Sequence, residues 1–272
     1  MPEGPECAHY ADKINASYAG LNLLSIRVLS GRYTKAAPNG FAEFSLPKRF
    51  GSVGVKGKFL YLEFTKEVAD GNLTVDSYIW NTLGLTGGWS EDYNNHNRLE
   101  FTFENKQSLF FFDQRNFGTF HFGKSMKETN AKLETLGTDF LDCDDVEIGE
   151  SLKIFQKKKN QNKTLAEIVM NQENYAGVGN YIKAEALYRA RLSPHRLGNS
   201  LNPNEIIGLH YSLYNVMVEA YASKLNYWEP MSDSDKFKKV IYGCAVAPCG
   251  NEIISQPTAD GRTTWWVPAI QK

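Results

Sequence analysis

The chain lacks any run of about 18 consecutive apolar residues, which excludes a conventional membrane-spanning helix. Its first 20 residues contain acids and no apolar stretch, so no secretory leader and a soluble intracellular protein are expected. Cysteine is scarce: Cys7, Cys143, Cys244 and Cys249 are too few and too scattered for a disulfide framework. That composition fits a reducing compartment, nucleus or cytoplasm. No internal repeat or low-complexity tract argues for a solenoid or a disordered tail. Also missing is a basic excess, since 30 Lys and Arg against 31 Asp and Glu leave a formal charge of -1. Any affinity for a polyanion must therefore come from the distribution of charge. Acids gather at Asp139 to Glu150 and Asp233 to Asp235. Bases gather at Lys157 to Lys163, Lys183 to Arg196, Lys238 to Lys239 and Arg262, a pattern that suits either a basic stripe or a solvated face.

What is present is enough chain, 272 residues, for two modules with separate cores. Residues Cys7 to Tyr18 read as a helix. From Leu21 to Phe122 short β-rich runs such as LLSIRVLS, KFLYLEF, RLEFTFE and SLFFFD alternate with Gly, Asn and Asp signals, as in an antiparallel sandwich or barrel. A linker is expected near 123 to 150, because the acidic stretch from Cys143 lacks periodicity. In the second half, Thr164 with Glu167 fits a capping box, Gly177 and Gly179 make a tight turn before a helix beginning near Asn180, and EIIGLHYSLYNVMVEAYASKL reads as a long helix. Two short strands around ADGR form a hairpin. The fold class is α+β, with an N-terminal antiparallel β-sandwich flanked by helices and a C-terminal helical domain ending in a hairpin. The expected boundaries are 1–130 for the sandwich, 131–150 for the linker, 151–240 for the helical domain and 241–272 for the hairpin.

Chemistry enters with the first six residues, MPEGPE. Removal of Met1 would leave Pro2 with a free secondary amine, and an α-amino group titrates at about 7.7 to 8.0, so a useful fraction is an unprotonated nucleophile near neutrality. A secondary amine still forms an iminium ion with a sugar aldehyde. Glu3 would lie beside the reacting carbon as a proton donor and acceptor, and Glu6 could reach it from the first helical turn. On its own a Pro-Glu start also arises by chance.

Five segments in order, spanning residues 2 to 271, give that start its meaning. MPEGPE resembles the N-terminal signature of endonuclease VIII-type DNA glycosylases, whose formamidopyrimidine relatives typically begin PELPE. GKFLYLEF is similar to the family's hairpin with its catalytic lysine, here Lys58. DQRNFG resembles the segment that enters the DNA stack, NQENYAGVGNYIKAEAL the helix–two-turn–helix motif, and GRTTWW the finger with its phosphate-binding arginine. The resemblance implies a bifunctional DNA glycosylase and lyase of base excision repair. Pro2 would displace the damaged base and form a Schiff base, with β,δ-elimination cutting the strand. Glu3 would move protons, and Lys58, Asn180 and Arg262, with Lys163 and Tyr242 as further DNA-binding residues, would hold the strand. Leu85, Arg115 and Phe117 would fill the hole left by the extruded nucleotide. For Leu85 and Phe117 a core or turn role is the alternative, for Arg115 a salt bridge to Asp113, for Lys58 an exposed hairpin lysine, and for Gly177 to Asn180 a simple helix connection beside Lys163 and Lys183.

The finger departs from the family pattern. Relatives generally hold it with two C-x-x-C pairs around zinc. Here Val246, Val267 and Ile270 fall on three of the four ligand positions, Cys249 on the fourth, and Cys244 is displaced by two residues. No histidine lies beyond His210. The hairpin is expected to be zincless, held by Val246, Trp265, Trp266, Val267 and Ile270, and no metal or organic cofactor is implied. The PEGPE start, with a short segment Leu225 to Lys239 that lacks a Gly-rich lesion-covering loop, favours oxidised pyrimidines. An 8-oxoguanine or formamidopyrimidine glycosylase and an inactive damaged-DNA-binding protein are the alternatives. The expected partner is damaged DNA, double- or single-stranded, bound by a monomer away from any membrane.

Overall fold

A computed structural model of the protein describes residues 2–142, 148–223 and 237–272. They form two compact units: Pro2 with residues 6–135, and residues 3–5 with those from 136 onward. The expectations for Met1, for Cys143 and for most of Leu225 to Lys239 lie outside the described residues. Among the described residues no helix is long and apolar enough to cross a membrane.

In the first unit, helix α1 spans Gly4–Tyr18, beginning three residues before the Cys7 start that periodicity predicts. Pro5 lies in the first turn, where its missing N–H breaks no helical bond, and Glu6 puts a carboxylate at the positive end of the dipole. Cys7, Tyr10, Ala11, Ile14 and Tyr18 recur at helical spacing and are all buried. The strands are β1 (Asn22–Val28), β2 (Lys48–Lys56), β3 (Phe59–Glu67), β4 (Leu73–Thr82), β5 (Gly87–Ser90), β6 (Asn97–Phe103), β7 (Ser108–Asp113) and β8 (Thr119–Lys124). They make one antiparallel ladder in the order β5-β7-β6-β1-β2-β3-β4-β8.

The β1–β2 joint of that ladder is only two residue pairs wide, Asn22 with Arg49 and Leu23 with Lys48. About this joint the ladder folds onto itself. Phe120 on β8 meets Phe111 on β7 at 4.8 Å and Trp89 on β5 at 5.8 Å between ring centroids, so strands from opposite ends of the order share one aromatic core. Trp89 also donates its indole N–H to Asn81 on β4 at 3.1 Å, which satisfies a buried donor. The result is the expected sandwich. Where the β2–β3 register slips between Phe50 and Val53, the Asn15 side chain bonds both backbone groups of Val53 and pins α1 to the sheet.

Helix α2 (Met126–Glu134) occupies part of the stretch assigned from sequence to a linker. Its start is a capping box of Ser125 and Glu128, a signal present in SMKE. Thr129 of this helix accepts the Trp80 indole N–H at 2.9 Å, which ties the helix to β4.

The second unit contains α3 (Ile148–Gln156), α4 (Lys158–Gln161), α5 (Leu165–Met170), α6 (Asn180–Arg189), α7 (Pro203–Ala222) and a hairpin of β9 (Ile254–Pro257) and β10 (Thr263–Trp266). Capping boxes start α5 at Thr164 with Glu167, as expected, and α7 at Asn202 with Glu205, followed by Pro203 in the first turn. Leu165, Ile168, Val169, Ile182, Leu209, Leu213 and Val216 form its helical core. The hairpin base is a separate apolar cluster of Ala184, Ile241, Ala247, Ile253 and Val267, with half-buried Trp265 and Ile270 against it. Val246 does not join this cluster as the sequence suggested. It pairs with Glu252 in an isolated bridge and is 61% exposed.

Candidate active site and nucleic-acid interface

A carboxylate at the third residue is buried in the helical unit. Glu3 is 1% exposed, and its two oxygens accept the backbone N–H groups of Tyr181 at 3.0 Å and Ile182 at 3.3 Å. These are donors of the first turn of α6, so Glu3 occupies the anion site that any helix N-terminus offers. The glycines of AGVG explain how it gets there. A Cβ on Gly179 would sit 2.1 Å from the Glu3 carboxyl carbon. Gly177, at φ +90°, accepts the Gly4 N–H at 2.9 Å, and a Cβ on Gly4 would in turn come within 3.0 Å of the Gly177 Cα. Gln172 braces the turn, accepting from the Gly177 N–H and donating to the carbonyls of Met170 and Val178.

At this turn Gly179 makes room for Glu3, Gly177 packs against Gly4, and the first-turn amides of α6 hold the Glu3 carboxylate. Asn180 directs its amide nitrogen to the Thr263 carbonyl at 2.8 Å, so it anchors β10, and its own side-chain oxygen is buried with no hydrogen-bond partner. Lys183 does not face solvent beside the turn. Its side chain is fully buried and paired with Asp260. Lys163 is half-buried immediately before the Thr164 cap.

In the first unit, Pro2 is half-buried and Glu6 is 6% exposed in the first turn of α1. Lys58 is the second residue of the two-residue turn joining β2 to β3, half-buried, behind Gly57 at φ +59°. Glycine first in such a turn matches the twist of the flanking strands, so the sequence Gly-Lys fixes where the lysine sits.

Leu85, Arg115 and Phe117 lie on two neighbouring loops, 83–86 after β4 and 114–118 after β7. The loops touch, since a Cβ on Gly84 would come 2.9 Å from the Phe117 Cβ. Asp113, 1% exposed, clasps them: its carboxylate accepts the Thr86 hydroxyl at 2.6 Å, the Gly118 N–H at 2.7 Å and the Arg115 N–H at 3.3 Å. The side-chain salt bridge between Arg115 and Asp113 does not form. Instead the Arg115 guanidinium lies 4.9 Å from the Phe117 ring centroid, and Phe117 is 50% exposed, far from the core role held open for it. Leu85 is half-buried at the turn.

The hairpin exposes Arg262 at its tip. The Tyr242 ring packs at a tilt against Trp265, 4.5 Å between centroids, with the Lys239 ammonium 5.6 Å from the Tyr242 ring. Glu185, fully buried and overlooked in the sequence, accepts the N–H groups of Val240, Ile241 and Tyr242 and so fixes the approach to the hairpin. The zinc of related fingers does not fit the residues here. Val246 is exposed and Val267 buried where thiolates would be needed, the Cys249 sulfur accepts from Asn251, and among the described residues no three His, Cys, Asp or Glu side chains gather as a metal requires. Part of the basic segments is paired within the unit: Lys159 with Glu173, Arg189 with Glu219 and Arg196 with Glu205.

An aromatic β-sandwich and a helical unit ending in a hairpin, with Glu3 seated on a glycine turn, have the architecture of a DNA-repair glycosylase. A family model described as the formamidopyrimidine-DNA glycosylase N-terminal domain matches residues 1–120, and one described as the H2TH domain of the same enzyme matches residues 143–227. A formamidopyrimidine-DNA glycosylase of Wolbachia pipientis is 31% identical over 202 residues, 70% of this chain and 73% of the relative. One from Cytobacillus firmus is 28% identical over the whole of both chains. The crystal structure of MutM (Fpg) from Thermus thermophilus superposes with a TM-score of 0.79 at 24% identity, covering 99% of this chain and 98% of that one. A Lactococcus lactis Fpg variant bound to Fapy-dG-containing DNA gives 0.80 at 22% identity with both chains fully covered. The chain belongs to the formamidopyrimidine-DNA glycosylase family, and its general activity is that of a DNA glycosylase and lyase.

Proposed function

We propose that the chain excises oxidised bases, chiefly pyrimidines, from damaged DNA and cuts the strand at the resulting site, with Pro2 as nucleophile once Met1 is removed. The observation that carries this reading is the Glu3 carboxylate, buried one residue from Pro2 and aimed by two backbone N–H groups of α6. A side chain so fixed serves proton transfer better than a mobile surface acid, because general acid–base work needs a positioned group.

The Pro2 nitrogen attacks C1′ of the damaged nucleoside. The C1′–N bond breaks, the base leaves with a proton, and the sugar ring opens as the iminium forms. Glu3 is the group placed to give the ring oxygen its proton. Loss of the C2′ proton then expels the 3′ phosphate, and a second elimination expels the 5′ phosphate. Water hydrolyses the imine and returns the free amine. Lys58, Lys163, Tyr242 and Arg262 are assigned to the strand, Asn180 to the strand by way of the Thr263 carbonyl it holds beside Arg262, Leu85, Arg115 and Phe117 to the vacated space, and Glu6 to proton transfer alongside Glu3. For Arg115 and Phe117 the support is their exposure on one clasped pair of loops, a cation and a ring presented together. The preference for pyrimidines, and the endonuclease VIII-like branch with it, is supported by the PEGPE start and by residues 225–239, which contain no glycine. The relatives are themselves formamidopyrimidine-DNA glycosylases, which favours the second reading, a formamidopyrimidine glycosylase.

Borohydride trapping on duplexes bearing thymine glycol, dihydrouracil, 8-oxoguanine or an abasic site separates the readings. The abasic site and both pyrimidines should trap efficiently. Preferential trapping of 8-oxoguanine would favour the second reading, and undiminished trapping by protein acetylated on the Pro2 nitrogen would exclude Pro2.

A further inference from the structure

The tip of the hairpin is held by charge as well as by apolar packing. Lys183 lies one turn along α6 from Asn180, on the same side of the helix. Its side chain is fully buried, and its ammonium is 2.6 Å from an Asp260 oxygen, itself on a side chain 5% exposed. The other Asp260 oxygen accepts the Thr258 hydroxyl and, at 3.4 Å, the Arg262 N–H. Asn180 meanwhile holds the Thr263 carbonyl. Two side chains of α6 therefore grip the hairpin on either side of Arg262, while the Arg262 residue remains exposed.

We propose that the buried Lys183–Asp260 pair is a positioning device, fixing the hairpin turn on α6 so that Arg262 is aimed at a DNA phosphate. This rests on the reading of Arg262 as a phosphate ligand. Stability alone is a poor explanation for the pair, because desolvating two charges offsets most of their attraction, and apolar residues of similar volume commonly serve as well. What an ion pair adds is direction. An ammonium in a closed pocket accepts one carboxylate at one place, which sets the register of a turn built from Thr258 to Arg262. Burial pulls the Lys183 amine below its ordinary range, Asp260 opposes that fall, and the nearby Arg262 charge adds to it, so the three groups sense one another.

The test uses the full-length protein and duplex DNA containing a tetrahydrofuran abasic analogue, with affinity measured across a salt series. Charge alone predicts that Asp260→Asn, which deletes a negative group from the DNA-binding tip, tightens binding. Positioning predicts the reverse: affinity falls about tenfold, the scale of one charge-assisted contact. The slope of log affinity against log salt should fall by about 0.9, as for one lost phosphate. The double variant Asp260→Asn with Arg262→Ala should bind no more weakly than Arg262→Ala alone. Since Lys183→Met would leave Asp260 unpaired, a paired replacement, Lys183→Met with Asp260→Leu, keeps the pocket filled and should show the same lowered slope with an intact melting transition. Wild-type or tighter binding by Asp260→Asn, or additive losses in the double variant, would overturn the proposal while leaving Arg262 its role. Unchanged affinity and slope in Arg262→Ala would overturn both.

Discussion

Replacing Gly179 with alanine is the sharpest perturbation the structure offers, because one methyl group meets a carboxylate to which proton transfer is assigned. The added Cβ would lie 2.1 Å from the Glu3 carboxyl carbon and 2.4 and 2.5 Å from its oxygens. The backbone is not at fault: Gly179 has φ -127° and ψ -162°, an extended conformation open to alanine. To restore ordinary contact the carboxylate must retreat by roughly 1 Å or more. It then gives up the Tyr181 and Ile182 N–H groups. Hydrogen bonds to charged groups are worth about 1.5 to 3 kcal/mol each, and the longer of these two falls at the low end, so a net loss of about 3 to 4.5 kcal/mol is expected. Misplacing a catalytic group by about 1 Å costs on the order of 100-fold in rate.

Urea unfolding and single-turnover excision on a paired lesion measure the two effects. Gly208→Ala is the control, since Gly208 lies within α7 with nothing within 4 Å of its would-be Cβ and should gain up to about 1 kcal/mol from helix propensity. In a Glu3→Ala background the three nearest obstacles to the methyl group are gone, and Gly179→Ala should add almost nothing. A Gly179→Ala protein with wild-type stability and rate would refute the argument. So would an equal penalty in the Glu3→Ala background.

Arg115→Ala and Phe117→Ala should slow excision of a paired lesion more than cleavage at an abasic site, which has less stacking to lose; equal losses in a gel assay would point to damage of the Asp113 clasp instead. Strong chelation should leave both the melting temperature and strand cleavage unchanged, because the hairpin base is packed by Ile241, Ile253 and Val267; loss of activity with release of stoichiometric zinc would show that ligands come from elsewhere. The Lys48 ammonium, bonded to Asp76, holds that carboxyl below its ordinary 3.8, with Lys66 adding to the effect. A depressed acid contributes stability above its unfolded value and loses it as pH falls through the folded one, so melting curves between about pH 5 and 2 should show a steeper acid loss in the wild type than in Asp76→Asn. Parallel curves would remove the pair from the acid response.

What the sequence disclosed and what it hid follow from the range of the interactions involved. The capping box at Thr164, the Gly-Lys turn at Lys58 and the hairpin around ADGR depend on residues a few positions apart, and each stands where local pattern puts it. Helix α2 was equally local, and its Ser125 to Glu128 box was simply masked by the acidic stretch that follows. The failures are of another kind. Lys183 is one base of a charged segment in sequence, yet it is sealed against Asp260 while Arg262 is exposed, because burial is decided by which element packs over α6. Glycine next to a helix start opens an anion site whatever anion arrives, and the local pattern at Gly179 does not name the anion. The occupant is set by Glu3, which the whole β-sandwich separates from Gly179 in sequence, and no spacing rule connects the two. The same logic applies to Asp113 and Glu185, which hold backbone rather than substrate: a buried carboxylate with several N–H partners is a scaffold whose identity emerges only when the donors are in place. In this chain the residues nearest the chemistry are therefore legible by type, while the groups that aim them are legible only through the fold.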